Sequence, residues 1–178
     1  MSTVQLDYTR IERDLLGAKE VPAACYYGIH TLRALENFQI SNQKVGTHPH
    51  FIRALAQVKK ASAQTNLKFT KISEQVSQAI QFACNELIEF PEKWSTAFPL
   101  DVYQGGAGTS INMNSNEVLA NIALEHLGFQ KGQYEHIHPN DHVNKSQSTN
   151  DVYPTALRLA TYYSLDDLLS QIQKLIDT

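Results

Sequence analysis

Two polar stretches hold the residue types that could do chemistry: Asp101 to Glu117, DVYQGGAGTSINMNSNE, and His138 to Asp151, HPNDHVNKSQSTND. Each sets small residues, hydroxyls and side-chain amides just ahead of a helix-like pattern. The first N–H groups of a helix have no partner within it, so such a stretch can present a fan of donors to an anion. In the first stretch Gly105, Gly106 and Gly108 let the backbone turn tightly, and Thr109 and Ser110 follow as hydroxyl donors. In the second, Ser148, Thr149, Asn150 and Asp151 stand in a row, all suited to cap a helix. Either stretch alone reads as a helix cap. As two walls of one pocket they would hold a small carboxylate through several neutral hydrogen bonds. Preorganised donors of this kind contribute roughly 3 to 4 kcal/mol each where a transition state gathers oxyanion charge. Removing a proton beside a carboxylate makes such a species, with two negative charges on one carboxyl group.

Other chemistries have less support. The chain contains no GxSxG elbow, no GxxxxGK[ST] phosphate loop and no GxGxxG fingerprint after a strand-like run. His136, His138, Asp141 and His142 could in principle ligate a transition metal, but their spacing matches no regular metal motif. They are read instead as groups that cap a helix, bond to backbone or face water, as are His48 and His50, and no metal ligand is assigned. Cys25 and Cys84, far apart in sequence, are read as free structural thiols, Cys84 as a small packing residue in a helix.

At 178 residues and 42% apolar content the chain can bury a real core. A net charge of -3, with both signs interspersed, lacks the basic stripe of a nucleic-acid binder. The start, MSTVQLDYTR, lacks the basic-then-apolar order of a signal peptide, and no apolar run reaches membrane-spanning length. A cytoplasmic address without membrane or nucleic-acid partners is expected.

The elements that must position the two stretches are helical. A short helix is expected near His30 to Glu36 after extended or turning chain. A second begins near Phe51, with Phe51, Leu55 and Val58 on one face; a third carries Ile72, Val76, Ala79, Ile80, Ala83 and Leu87 and stops before Pro91. These two are expected to pack antiparallel. After a loop around Trp94, a fourth helix shows Val118, Leu119, Ile122, Ala123 and Leu127 on one face and closes at Gly128. Its start is open between caps at Ser110 and Asn114, the latter with Glu117 in the style of a capping box. A loop follows, and then a helix from Pro154 to Thr178 with Leu165, Leu168, Leu169, Ile172 and Ile176 as its stripe. That stripe is still in phase at the last residue and has no later helix to cover it. The expectation is a chain interrupted in mid-helix, whose partner comes from further sequence or another subunit.

GAGTSINMNSNE and HPNDHVNKSQSTND resemble two signature regions of the aspartase/fumarase superfamily, and RIERDLLGAKEVPAACYYGIHTLRALENF is similar to that family's N-terminal segment. The resemblance runs from about Arg10 to the end. YQGGAGTS and QSTND look like the aspartase branch, class II fumarases tending to GSGTQ-like and QSSND-like forms. The resemblance implies a mainly α fold: a small N-terminal helical domain over residues 1–149, then the first long helix of a central helix-bundle domain over 150–178. It implies reversible deamination of L-aspartate to fumarate through an aci-carboxylate intermediate, without a cofactor, in a homotetramer whose sites draw on three subunits. Carried over residue by residue, Thr109, Ser148 and Thr149 would hold the β-carboxylate and Asn150 would lie near the departing amino group. The family's proton-removing serine lies in a GSSxMPxKxN-like loop. That motif is absent from these 178 residues, so no catalytic base is assigned and the chain alone is expected to be inactive. Two alternatives stay open: a class II fumarate hydratase, and a non-catalytic truncated subunit that associates through its exposed helix.

Overall fold

The computed structural model describes residues 8–177; the part of the leader reading that rests on Met1 to Asp7 lies outside the described residues. The extended chain expected ahead of His30 is an antiparallel hairpin of β1 (Thr9–Asp14) and β2 (Gly17–Pro22), in register from Thr9 opposite Pro22 to Asp14 opposite Gly17. The helices are α1 (Ile29–Asn37), α2 (Pro49–Lys68), α3 (Glu74–Glu89), α4 (Thr109–His126) and α5 (Thr149–Ile176). Short helical turns lie at Val45–Thr47, Pro91–Ala97 and Pro139–Val143. The fold is mainly α, as expected.

Pro49 opens α2, where its missing N–H costs nothing. Ser73 caps α3 by accepting from the Val76 N–H. Cross-links from Lys60 to Asn85 and from Gln64 to Gln81 run in opposite order along the two helices, so they pack antiparallel. Between them Ile52, Leu55, Ala56, Ile80, Ala83, Cys84 and Leu87 are buried. Cys84 is the packing residue expected, and burial pushes its thiol up to about 12.

Helix α4 differs from the single apolar face read in the sequence. Every residue from Asn114 to Leu124 is buried, because α1, α3, α5 and the loops around it cover all of its sides. Its start also corrects the sequence reading: neither Ser110 nor Asn114 is the cap. The cap position is Gly108, in a left-handed conformation at φ +83°, and the Gln104 side chain accepts from the Ile111 N–H at 3.0 Å. Gly128 ends the helix as expected: at φ +84° it lets the Phe129 N–H reach back to the Leu124 carbonyl and its own N–H reach Glu125.

Helix α5 starts at Thr149, five residues ahead of Pro154, because the Ser148 hydroxyl accepts from the Asn150 N–H and supplies the cap. Pro154 then sits inside the second turn, leaving only the Asn150 carbonyl without its helical donor. Val152, Ala156 and Ala160 are buried, and Tyr163 donates to Gln57 of α2. Farther on, Leu165, Leu168, Leu169, Ile172 and Ile176 are exposed, at 44 to 70%.

Glu117 forms no capping box. It lies in the buried middle of α4 and receives the amino end of α1: its carboxylate accepts from the N–H groups of Gly28, His30 and Thr31 and from the Thr31 hydroxyl at 2.6 to 3.1 Å. Glu12 of β1 accepts from the Ile29 N–H beside it. Burial pushes the Glu117 carboxyl up to about 7, against the pull of those donors. The folded chain therefore holds a proton that the unfolded chain releases near pH 4.5. The stabilisation is full below that pH and is lost as pH rises towards 7. At 1.36 kcal/mol per pKa unit the loss is about 3 kcal/mol. Urea denaturation at pH 4.5 and pH 8 is expected to show this difference, and Glu117→Gln is expected to flatten it.

Candidate functional site

The two polar stretches meet where the amino ends of α4 and α5 adjoin. A Cβ built on Gly108 would lie 2.1 Å from the Tyr153 ring, so the glycine loop and the first turns of α5 are in direct contact. The loop itself is held from behind: buried Asp101 accepts from the N–H groups of Ser41 and Tyr103 and from the Ser41 hydroxyl.

Thr109, Ser148 and Asn150 are exposed and Thr149 is half-buried. The Thr109 hydroxyl and the Asn150 amide make no hydrogen bond among the described residues. The Ser148 hydroxyl accepts from Asn150, and the Thr149 hydroxyl accepts from the Asn112 side-chain amide at 3.1 Å; neither hydrogen is engaged. Three hydroxyl donors and one amide are thus free at two adjacent helix starts, each of which also favours negative charge by roughly 0.3 to 1 kcal/mol. The structure brings Thr149 to Asn112 of the first stretch and the glycine loop to Tyr153 of α5.

Asn112 and Asn144 were not singled out in the sequence, nor was Lys59. Asn112 donates to Asn144 Oδ1 at 3.2 Å as well as to Thr149, and Lys59 Nζ donates to the same Asn144 oxygen at 2.8 Å. Lys59 is fully buried, and burial lowers its pKa to about 7. One sequence signal could have found it: Lys59 occupies a core position in the stripe of Ile52, Leu55, Ala56 and Ala63.

The histidines are used locally. His138 Nδ1 accepts from the N–H groups of Asn140 and Asp141, capping the turn Pro139–Val143, and His142 Nδ1 accepts from the His138 N–H. His136 stacks on Phe129 at 3.8 Å, and His50 pairs with Asp167 at 2.7 Å. Among the described residues no cluster of three His, Cys, Asp or Glu is arranged to hold a metal ion, and no helix is long and apolar enough to cross a membrane.

The family model described as Lyase matches residues 17–178. The chain belongs to this lyase family. The aspartate ammonia-lyase of Escherichia coli K12 is 57% identical over 166 residues, which are 93% of this chain and 34% of that relative. A crystal structure described as fumarate lyase:delta crystallin, from Brucella melitensis, superposes with a TM-score of 0.92 at 50% identity, covering 96% of this chain and 39% of that one. A recombinant class II fumarase from Schistosoma mansoni gives a TM-score of 0.75 at 38% identity, covering 86% of this chain and 32% of that one. This member of the lyase family thus spans about a third of the length of the curated relatives it matches.

Within the lyase fold, the Gly108–Tyr153 contact sets how closely the two helix starts approach. Gly108→Ala adds a left-handed backbone cost of about 1 to 2 kcal/mol to a clash with the ring. The melting temperature is expected to fall sharply, and Tyr153→Ala in the same chain is expected to recover the clash. Losses that simply add in the double variant would show that the loop and α5 do not share this contact.

Proposed function

We propose that the complete protein is an aspartate ammonia-lyase, converting L-aspartate reversibly to fumarate and ammonia through an aci-carboxylate intermediate. The observation that carries this reading is the set of free donors on Thr109, Ser148, Thr149 and Asn150 at adjoining helix starts, on a chain 57% identical to an aspartate ammonia-lyase. In this reading the hydroxyls of Thr109, Ser148 and Thr149 donate to the β-carboxylate of the substrate. When the Cβ proton leaves, its electron pair moves onto that carboxyl group, and the same donors meet two negative charges in place of one. They bind the intermediate more strongly than the substrate, which is the condition for accelerating the step. Collapse of the intermediate forms the carbon–carbon double bond and expels ammonia beside Asn150.

The likeness to the class II fumarase supports a second reading, in which the same donors serve the hydration of fumarate. The exposed stripe of α5 supports a homotetramer joined through that helix, or, for the chain by itself, a non-catalytic association with intact subunits. A cytoplasmic address belongs to the same proposal. So does a division into an N-terminal domain, residues 1–149, and the start of a central helical domain, residues 150–178.

A protein of the relatives' full length is expected to form fumarate from L-aspartate, followed by ultraviolet absorbance; fumarate formed from L-malate instead would favour the hydratase. Thr109→Ala or Ser148→Ala is expected to lower its kcat by about 10² to 10³ with an unchanged circular dichroism spectrum. Wild-type kinetics would remove those residues from the site. The 178-residue chain alone is expected to form no detectable fumarate.

A further inference from the structure

A fully buried lysine needs a reason, and among the described residues Lys59 has no carboxylate partner. Its one hydrogen bond goes to Asn144 Oδ1 at 2.8 Å. The Cys84 thiol on α3 is buried as well. The bond to Asn144 therefore carries information as well as energy. A side-chain amide can present either its oxygen or its nitrogen, and Lys59 Nζ, charged or neutral, has hydrogens to donate, so Asn144 turns Oδ1 towards it. The Asn144 nitrogen then donates to the Gln147 carbonyl at 3.3 Å.

The next link follows by the same rule. Asn112 faces the same Asn144 oxygen, so it must offer its nitrogen, and at 3.2 Å it does. That nitrogen also donates to Thr149 Oγ1 at 3.1 Å, while Asn112 Oδ1 is buried with no hydrogen-bond partner among the described residues. Turning Asn112 over would give Oδ1 the Thr149 hydroxyl as donor, but would set it against the Asn144 oxygen. Because Thr149 Oγ1 receives a hydrogen from Asn112, its own hydrogen is free to point away, towards the space between the helix starts.

We propose that Lys59 is a positioning residue, setting the direction of every hydrogen bond in the chain Lys59, Asn144, Asn112, Thr149 so that the Thr149 hydroxyl always donates to a bound carboxylate. The inference rests on the carboxylate-binding reading of Thr149. Without the lysine donor, Asn144 and Asn112 can turn, and the Thr149 hydrogen can be spent inward on Asn112 Oδ1.

Two experiments test it. In the 178-residue chain, hydrogen exchange of the Asn112 side-chain amide is followed by NMR. Lys59→Met is expected to speed that exchange; unchanged exchange in a folded variant overturns the proposal whatever the protein's substrate. In the full-length protein, Lys59→Met is expected to lower kcat for L-aspartate roughly ten- to a hundredfold, the scale of a misplaced catalytic contact, but to do little in a Thr149→Val background. Losses that multiply in the double variant overturn it, since a lysine acting only on stability would act in both backgrounds. Asn112→Asp guards against a Lys59 variant that does not fold. It keeps the shape, removes the donor, and is expected to reproduce the loss of kcat; wild-type kcat in that variant also overturns the proposal. Absence of any activity on L-aspartate in the unaltered protein would count against the proposed function and leave the exchange experiment to decide this inference.

Discussion

Six polar side chains on α4, Asn112, Asn114, Ser115, Asn116, Glu117 and Asn121, are buried, and leaving such a group unpaired costs about 1 to 3 kcal/mol. Four of them find partners on different neighbours. Glu117 takes the amino end of α1, and Asn121 joins the Tyr26 carbonyl to the Gly132 N–H. Asn114 donates to the Ala97 carbonyl, and Asn112 joins Asn144 to Thr149. Apolar burial alone would tolerate α4 rotated or shifted within its sheath, because it has no direction. The polar partners do have direction, and they admit one arrangement. The candidate site is one consequence of it, since the bond that fixes α4 against the start of α5 also aims the Thr149 hydroxyl.

What could be read in the sequence follows from the same distinction. Helices α2 and α3 were legible because burial on one face leaves a period, and the end of α4 because only glycine suits the left-handed turn at Gly128. The four candidate residues Thr109, Ser148, Thr149 and Asn150 were legible as types that cap helices, and they do stand at two helix starts. The hairpin was not legible because its alternation is inverted. Ile11 is 69% exposed while Glu12 is 4% exposed, drawn inward by Arg10, Tyr134 and the Ile29 N–H. The start of α4 was obscured because its orphan N–H is satisfied by Gln104, several residues upstream, rather than by a neighbour. Asn112, Asn144 and Lys59 were missed because their pairing depends on contacts between distant segments, and no local spacing reports those.

The proposed site uses neutral donors at the surface, and the buried Lys59 lies two amides away from it. A lysine in direct contact with the substrate would attract its carboxylate strongly before any reaction, and binding spent equally on substrate and transition state does not raise kcat. A hydroxyl contributes little to a singly charged, partly hydrated carboxylate. Its contribution grows as charge accumulates, provided that its hydrogen already points at the oxygen and need not turn during the reaction. In the proposed reading Thr149 meets that condition, because the Asn112 N–H behind it occupies one lone pair of its oxygen. In the proposed reading Lys59 enters the chemistry as an orientation passed through Asn144 and Asn112. On that reading the orientation is in place before substrate arrives, with Lys59 itself two amides from the Thr149 hydroxyl.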